Sequence, residues 1–222
     1  MTQAVLFDVD GTLIDSVDLH ARAWHEAFAK FGVKTDLAAV RSQIGKGGDQ
    51  LMPEFVSEDR LAVIGAELEK YRGDLYQAEY MKRVRPFPRV RDLFKELLHR
   101  GLRLALASSA KGDELELYKQ VAGVADLIDA ETSADDAART KPHPDIFQAA
   151  LRRLGKGIPL DQVYVVGDSP FDALAAHRMG VRTIGVRSGG FPDADLRANG
   201  CVEIWDDCAA LLARIDESAL SR

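Results

Sequence analysis

The chain has 222 residues, of which 46% are apolar and 29% are charged, and its formal net charge is −6. This composition is typical of a folded globular protein and excludes a disordered one, and the length suffices for a core domain with a smaller insert. The acidic balance argues against a general nucleic-acid-binding protein, and no apolar stretch approaches the roughly 18 residues that a membrane span requires. An anionic substrate would need a local basic pocket or a metal ion.

The number of cysteines and the N-terminal residues indicate the cellular compartment. Cys201 and Cys208 are the only cysteines, and no run that resembles a signal peptide precedes Asp8. A chain with few cysteines and no secretory signal is typical of a reducing environment. We therefore predict a cytoplasmic protein.

The first predicted element is a short strand that ends in two acids. Val5 to Phe7 are all apolar, as in a strand buried on both faces, and Asp8, Asp10 and Gly11 follow at once. Carboxylates at the end of a buried strand are costly unless a cation offsets their charge, and Mg²⁺ prefers such oxygen ligands. The ordinary alternative is an Asp-Gly turn with solvated acids, which is equally compatible with these residues alone.

The next seventy or so residues show only helical patterns. No strand pattern occurs between Thr12 and Arg100, which predicts a helical unit inserted after the first strand. We place this unit at residues 15–84, and the core at residues 1–14 and 85–222. The predicted helices of the insert are Leu19 to Phe31, Asp36 to Ile44, a short helix after the Gly45 to Asp49 loop, and Glu58 to Arg83.

From Val90 onward, helical and strand patterns alternate. The predicted strands are Leu102 to Ala107, Asp126 to Asp129, Val163 to Val166, Val181 to Val186 and Val202 to Ile204. The predicted helices are Val90 to Arg100, Gly112 to Val121, Pro144 to Leu154, Phe171 to Met179 and Asp206 to Ile215. Alternation of this kind predicts an α/β fold, a doubly wound parallel sheet with helices on both faces.

Polar residues end several of these strands. Ser108 and Ser109 follow the second strand of the core, Asp168 follows Val163 to Val166, and Lys141 lies between them before Pro142. Ligands bind beyond the carboxyl ends of strands in such sheets, so these groups are expected to converge with Asp8. Acids, hydroxyls and one ammonium suit phosphoryl transfer. Taken singly, each has an ordinary alternative: a helix cap, a surface lysine, or an acid in the first turn of a helix.

Taken together, the motifs resemble those of a known family. Asp8-Val9-Asp10-Gly11-Thr12, Ser108, Lys141 and the run from Gly167 to Asp172 are similar to the four motifs of the haloacid dehalogenase superfamily. The helical insert after the first motif resembles the cap of its phosphoglycolate phosphatase and β-phosphoglucomutase branch. The resemblance covers Ala4 to Ile215 and implies a Rossmann-like core with an inserted α-helical cap domain.

The resemblance also implies roles for the motif residues. Asp8 would be the nucleophile that forms an aspartyl-phosphate, and Asp10 the general acid and then the base, a dual role that needs a raised pKa. Ser108 and Lys141 would hold the phosphate, with Ser109 as a further donor. The implied Mg²⁺ ligands are the side chains of Asp8 and Asp168 and the backbone carbonyl of Asp10, with Asp172 in support.

Residues of the insert are expected to select the substrate. His20 lies in a run from Asp15 to Trp24 that resembles a β-phosphoglucomutase pattern, although a histidine on a helix surface or at an interface is as compatible with the sequence. Arg41 and Lys46 fall where this branch places its substrate-reading loop. That loop lacks the Ser-Arg pair of the mutases.

The interpretation that follows is a Mg²⁺-dependent phosphatase of a small phosphorylated metabolite. The presence of Asp10 favours phosphate esters over halides and phosphonates, whose enzymes resemble this chain but lack that acid. The alternatives are a sugar phosphomutase with the same first half-reaction and a catalytically silent regulatory protein. We expect no nucleic-acid or membrane partner, and a monomer or weak homodimer.

Overall fold

The core of the molecule is a six-stranded parallel sheet with the order β5-β4-β1-β6-β7-β8. The structure is a computed structural model that describes residues 1–221. The strands of this sheet are β1 (Ala4–Phe7), β4 (Arg103–Ala107), β5 (Ala130–Thr132), β6 (Val163–Gly167), β7 (Arg182–Val186) and β8 (Cys201–Trp205). The chain moves outward from β1 to β4 and β5 and then returns to β6 on the other side of β1, so the strand order reverses beside β1. The predicted fold class is confirmed.

Alternate side chains of β1, β4 and β6 enter two apolar clusters, one on each face of the sheet. In β1, Val5 and Phe7 pack into one cluster and Ala4 and Leu6 into the other. A strand that is buried on both faces has no polar alternation, which is why it reads as a continuous apolar run. The helices that cover the sheet are α5 (Val90–His99), α6 (Gly112–Ala122), α7 (Asp145–Leu154), α8 (Pro170–Met179), α9 (Asp193–Ala198) and α10 (Cys208–Ala213).

Residues 16–84 form a helical insert between two very short strands. β2 (Ile14–Asp15) and β3 (Arg85–Pro86) pair antiparallel and hold the two ends of the insert together. The helices of the insert are α1 (Val17–Lys30), α2 (Leu37–Arg41), α3 (Gly48–Leu51) and α4 (Glu58–Leu75). Trp24 and Phe28 lie at the centre of an apolar cluster made only of insert residues.

Two predicted elements have different bounds in the structure. The strand expected at Asp126 to Asp129 is β5, which begins at Ala130, because the Asp129 carboxylate accepts a hydrogen bond from the Leu104 amide at 2.9 Å. The helix expected to run from Glu58 to Arg83 ends at Leu75 and continues as a wider π-helical turn, Tyr76–Tyr80. That turn places Tyr76 flat against His20, with ring centroids 4.0 Å apart.

The remaining predicted core elements are present with ends shifted by at most a few residues. The β2–β3 pair and α9 have no counterpart among the predicted elements, since two-residue strands and a helix of six residues carry little periodicity. Within residues 1–221, no helix combines the length and the apolar character that crossing a membrane demands.

Candidate active site

Three strand ends meet at one edge of the sheet. Asp8 follows β1, Ser108 follows β4 and Asp168 follows β6, and all three side chains are buried. Because parallel strands present their carboxyl ends at the same edge, and the strand order reverses beside β1, this is the place where such a sheet binds ligands. The convergence expected from the sequence is therefore present in the structure.

Lys141 lies at the centre of this edge with no exposed surface. Its ammonium donates to Asp8 Oδ1 and lies 2.8 Å from Asp172 Oδ1. The other oxygen of Asp172 accepts from the Ser169 amide and hydroxyl in a capping box that begins α8. The helix start thus fixes Asp172, and Asp172 in turn holds Lys141 against Asp8.

The carboxylates of Asp8, Asp168 and Asp172 offer oxygens that all lie within 4.8 Å of one another. Thr12 lies between two of them, because its hydroxyl is 3.0 Å from Asp8 Oδ2 and 3.2 Å from Asp168 Oδ1. Three buried carboxylates face one buried ammonium, so the group carries more negative than positive charge. Hard oxygen ligands with an excess of negative charge are what Mg²⁺ prefers.

Two glycines make room for the Asp168 carboxylate. A Cβ at Gly11 or at Gly189 would overlap the side chain of Asp168, and Gly11 also has a positive φ of 81°. Gly11 follows β1 and Gly189 follows β7, so backbone from two loops encloses this carboxylate on two sides. The chemistry of the ligands and this enclosure both fit a divalent cation at the site.

The pKa shifts of the buried carboxylates also fit a cation at this site. Burial and the charge of Asp172 raise the pKa of Asp8 to about 7, although Lys141 opposes the shift. Burial and the charge of Asp8 raise the pKa of Asp168 well above its usual value. The charges of Asp172 and Asp8 outweigh the effect of burial on Lys141 and raise its pKa. A positive charge near Asp8 therefore favours its ionised form, which is the form that can act as a nucleophile.

Asp10 has a different environment, although it is only two residues away. Its Oδ1 accepts from the Ser16 hydroxyl at 2.6 Å and lies 2.9 Å from His20 Nε2. Burial would raise the pKa of Asp10, but the charge and hydrogen bond of His20, together with Ser16, outweigh it and lower the pKa. The raised pKa expected for a dual acid and base is therefore not present, and the structure favours the ionised form, which is the base.

His20 lies at the interface between insert and core, beside Asp10, and not on an exposed helix surface. It is buried, its ring stacks on Tyr76 with an interplanar angle of 2°, and its Nε2 also lies 3.0 Å from the Tyr118 hydroxyl. Tyr118 comes from α6 of the core, whereas His20 and Tyr76 come from the insert. His20 thus links the insert to Asp10.

The two serines after β4 have separate positions. Ser108 is fully buried, and its hydroxyl accepts from the Ala110 amide at 3.0 Å. Ser109 lies on a small cavity above Asp8 and Asp10, where its hydroxyl is 3.5 Å from the Gly45 carbonyl.

This cavity has a volume of about 40 Å³ and lies between the insert and the sheet edge. Of the insert residues expected to select the substrate, His20 and Lys46 line it. The Lys46 ammonium is already paired, at 2.6 Å from Gln43 Oε1 and 2.7 Å from Glu54 Oε1. Arg41 is not among the lining residues; it binds Asp18 at 2.6 Å and the Gly189 carbonyl at 3.0 Å, and so joins the insert to the loop after β7.

Sequence reasoning missed several side chains of the site. Thr12 belongs to the first motif but was given no role, and Ser16 lies four residues further along the chain, so both hydroxyls offered a local signal. Tyr118, Arg72 and Glu114 offered none, because each is far in sequence from the first motif and has the pattern of an ordinary helix residue. Arg72 and Glu114 also line the cavity.

These features define an α/β enzyme in which a carboxylate at the end of the central strand can act as a nucleophile beneath a helical insert. Residues 5–186 match the family model described as haloacid dehalogenase-like hydrolase. The chain belongs to this family, and the resemblance predicted from the motifs is confirmed.

Individual relatives agree with this assignment. The chain is 32% identical over 208 residues to the protein SUPPRESSOR OF QUENCHING 1, chloroplastic, of Arabidopsis thaliana, a match that covers 92% of the chain but only 19% of that protein. It is 28% identical over 220 residues to the phosphoglycolate phosphatase of Rhodospirillum rubrum, covering 95% of the chain and 90% of the relative. A hydrolase of known structure from Pseudomonas syringae superimposes with a TM-score of 0.88 at 26% identity, over 98% of this chain and 100% of the other.

Proposed function

We propose that this chain is a Mg²⁺-dependent phosphatase that hydrolyses a small phosphorylated metabolite through an aspartyl-phosphate on Asp8. The observation that carries the proposal is the buried Asp8 carboxylate at the end of the central strand, with the Lys141 ammonium on one oxygen and Asp10 on the same cavity. The family, and a relative named as a phosphatase, support a phosphoric monoester hydrolase.

In the first half-reaction a carboxylate oxygen of Asp8 attacks the phosphorus of the ester. A phosphorus–oxygen bond forms to Asp8 as the bond to the leaving oxygen breaks, and that oxygen takes a proton from Asp10. Because the structure favours ionised Asp10, Asp10 must first take up this proton when the substrate binds. Lys141, held by Asp172 at 2.8 Å, and the Ser108 and Ser109 hydroxyls are the groups that we assign to the phosphate oxygens. Of these, Ser109 lines the cavity directly, and Lys141 and Ser108 lie buried beneath it.

In the second half-reaction water attacks the phosphorus of the aspartyl-phosphate. Asp10 takes a proton from this water, the bond between phosphorus and Asp8 breaks, and inorganic phosphate leaves. The hydrogen bonds of Ser16 and His20 to Asp10 stabilise the ionised form that this step needs. His20 therefore acts on the reaction through Asp10.

Mg²⁺ would be held by the side chains of Asp8 and Asp168 and the backbone carbonyl of Asp10, with Asp172 in support. When bound, it supplies positive charge that favours ionised Asp8 and offsets the charge of the phosphate. The close oxygens of the three carboxylates and the excess of negative charge support this assignment.

We assign residues 15–84 to a cap domain and residues 1–14 and 85–222 to the catalytic core. The short β2–β3 pair at the neck of the insert and the separate apolar cluster of Trp24 and Phe28 support this division. His20 and Lys46 face the cavity from the cap, whereas Arg41 acts on the substrate only through the cap position.

The ion pair that Lys46 makes with Glu54 favours a phosphatase over a mutase. A mutase must hold a second phosphate beneath its cap, and Lys46 is the only cation of the Gly45 to Asp49 loop. Its pairing with Glu54 at 2.7 Å leaves that loop without a free cation. Water is then the acceptor that remains for the phosphoryl group.

The partner that this proposal requires is a small phosphorylated metabolite, without nucleic acid or membrane. A cytoplasmic location is part of the proposal and rests on the two cysteines, which are both buried and unpaired. The monomer or weak homodimer is likewise proposed.

The test is turnover in ¹⁸O-labelled water with phosphorylated metabolites and a generic aryl phosphate, in the presence of Mg²⁺. We expect one label from water in each released phosphate, and loss of turnover in Asp8→Asn, because an amide keeps the shape of Asp8 but cannot attack phosphorus. Asp8→Asn activity within tenfold of wild type, a difference of about 1.4 kcal/mol, would exclude covalent catalysis through Asp8. Conversion of β-glucose 1-phosphate to the 6-phosphate with little free phosphate would establish the mutase instead.

A further inference from the structure

Arg72 and Glu114 form a buried ion pair across the boundary between insert and core. Arg72 lies on α4 of the insert and Glu114 on α6 of the core, and both line the cavity above Asp8. Their side chains are 10% and 5% exposed, and Arg72 Nη1 donates to Glu114 Oε1 at 3.3 Å. The pair therefore joins two parts of the chain directly over the site of phosphoryl transfer.

One donor and one acceptor of this pair have no partner among the described residues. Arg72 Nε and Glu114 Oε2 are both buried without a hydrogen bond. An unsatisfied buried polar group destabilises a protein, more so when the group is charged. Two such atoms, on side chains that line one cavity, point to a ligand that supplies their hydrogen bonds. Because the two side chains come from opposite sides of the boundary, an opening between insert and core exposes both atoms.

Arg72 is held by the residues around it. Its guanidinium lies 5.0 Å from the Trp24 ring centroid and 5.9 Å from that of Tyr76. These rings belong to α1 and to the turn after α4, so the guanidinium position is set by the packing of the insert. A preorganised donor of this kind discriminates between ligands, because little entropy is lost when it binds.

A second cavity provides room beyond the pair. It has a volume of about 280 Å³, lies between insert and core, and shares Gly48, Arg72 and Ser109 with the first cavity. The phosphate of a substrate belongs at the first cavity, over Asp8, so the rest of the molecule passes Arg72 and Glu114 on its way to the second.

The charges around the two cavities select among leaving groups. Arg72 and Glu114 neutralise each other, and Lys46 is neutralised by Glu54. The second cavity adds Lys111, but also the three acids Asp49, Glu69 and Asp135, so its lining has an excess of negative charge. A carboxylate in the leaving group would therefore meet the charge of Glu114 and then a second acidic lining. A hydroxyl both donates and accepts, so it can satisfy Glu114 Oε2 and Arg72 Nε together.

We propose that Arg72 and Glu114 form a specificity site that selects phosphate esters of hydroxyl-rich leaving groups, such as polyols and sugars, over esters of carboxylic acids. One hydroxyl of the leaving group donates to Glu114 Oε2 and accepts from Arg72 Nε–H when the insert closes. This assignment rests on the proposed phosphatase activity and names the substrate class of the same site.

The test compares four esters with the wild-type enzyme and Mg²⁺: ribitol 5-phosphate, pentyl phosphate, 2-phosphoglycolate and p-nitrophenyl phosphate. Ribitol and pentyl phosphates share a carbon chain and differ in their hydroxyls. Hydrogen bonds to charged groups lead us to expect kcat/KM for ribitol 5-phosphate to exceed that for pentyl phosphate by about tenfold to a hundredfold. It should exceed the value for 2-phosphoglycolate as well.

Two variants identify the residues responsible. The double change Arg72→Met and Glu114→Met removes both charges at once and so leaves neither unpaired. We expect it to bring the ratio of ribitol to pentyl phosphate close to one. Glu114→Gln removes the negative charge. It should raise kcat/KM for 2-phosphoglycolate, relative to kcat/KM for ribitol 5-phosphate, by about tenfold. The exposed pair Arg91 and Asp126 gives the matched control, since Arg91→Met with Asp126→Met should leave all ratios unchanged.

The outcomes separate the two proposals. If the wild type releases phosphate from none of the four esters, the phosphatase proposal fails and the specificity proposal fails with it. If esters are hydrolysed without a preference for ribitol 5-phosphate, only the specificity proposal is overturned. Thermal denaturation establishes that both variants are folded. If the wild type shows the preference but both folded variants lower kcat/KM for all four esters by a common factor, the pair is structural and the proposal is again overturned.

Discussion

Lys141 is the residue on which the balance of charge at the sheet edge depends. It has no exposed surface and contacts Asp8 and Asp172. Lys141→Met would leave three buried carboxylates without their ammonium, and removing one partner of a buried pair costs about 3–5 kcal/mol. We expect this decrease in the free energy of unfolding of the metal-free protein, measured by urea denaturation. We also expect Mg²⁺ to stabilise the variant more than it stabilises the wild type.

The control for this change is Lys70→Met. Lys70 pairs with Asp74 on the exposed surface of α4, where an ion pair contributes at most about 1 kcal/mol. If Lys141→Met costs no more than Lys70→Met, the ammonium does not stabilise the carboxylate group.

The two cysteines should be inert in the folded protein. Burial raises the pKa of Cys201 and of Cys208 to about 12. A thiol with that pKa is ionised in roughly one molecule in ten thousand at pH 8, and only the thiolate reacts with disulfide reagents. We expect two reactive thiols in denaturant and almost none without it, measured by thiol titration. Fast reaction of either cysteine at native conditions would show that its segment opens.

The positions of the motif residues in one site could be predicted from the sequence, because residues of these types in this order are specific for the family. Asp8, Ser108, Lys141 and Asp168 meet as expected. The ionisation of Asp8 and Asp10 could not be predicted in this way. Their opposite pKa shifts arise from burial and from partners such as His20, which folding supplies.

At the scale of elements, the loop after β7 is as important to the site as the strand ends. Gly189 in this loop approaches Asp168 so closely that a Cβ would overlap the carboxylate. We expect Gly189→Ala to displace Asp168 and to raise the Mg²⁺ concentration required for half-maximal turnover by tenfold or more. Metal titration of activity, together with Mg²⁺ binding by calorimetry, measures this effect.

Gly73 offers a matched control for that substitution. It lies in α4, and a Cβ at this position would have no atom within 4 Å, so alanine fits without contact. Alanine in a helix is favoured over glycine, and Gly73→Ala should stabilise the protein by about 0.5–1 kcal/mol without changing the metal requirement. Equal metal requirements in both variants would contradict the role given to Gly189.

The elements that could be predicted are those with a clear period. β1 and β6 read as apolar runs, and α7 shows apolar residues on one face. The β2–β3 pair is too short for any pattern, and the turn at Tyr76 depends on His20, which lies too far away in the sequence for any local pattern to span.

At the scale of the whole molecule, insert and core share apolar packing. Ala23, Tyr76 and Tyr80 of the insert belong to the same cluster as β1 and α5 of the core. We therefore expect a single cooperative thermal transition by calorimetry, with equal calorimetric and van't Hoff enthalpies. Two separate transitions would show that the insert unfolds on its own despite this shared cluster.

The specificity pair shows where sequence reasoning ends at this scale. Arg72 and Glu114 are 42 residues apart and lie on helices of different parts of the fold. Each has the pattern of an ordinary helix residue, and only the packing of insert on core brings them together over Asp8. The loop residue Lys46 was the better candidate in the sequence, yet its charge is already balanced by Glu54.

The small cavity over Asp8 also limits the number of water molecules that can lie next to this residue. At about 40 Å³ it has room for only a few water molecules, at roughly 10–15 Å³ each. A phosphoryl group held over Asp8 would therefore have few water molecules within reach. Under the proposed mechanism, hydrolysis would depend on the one water molecule that lies next to Asp10 rather than on the amount of solvent outside.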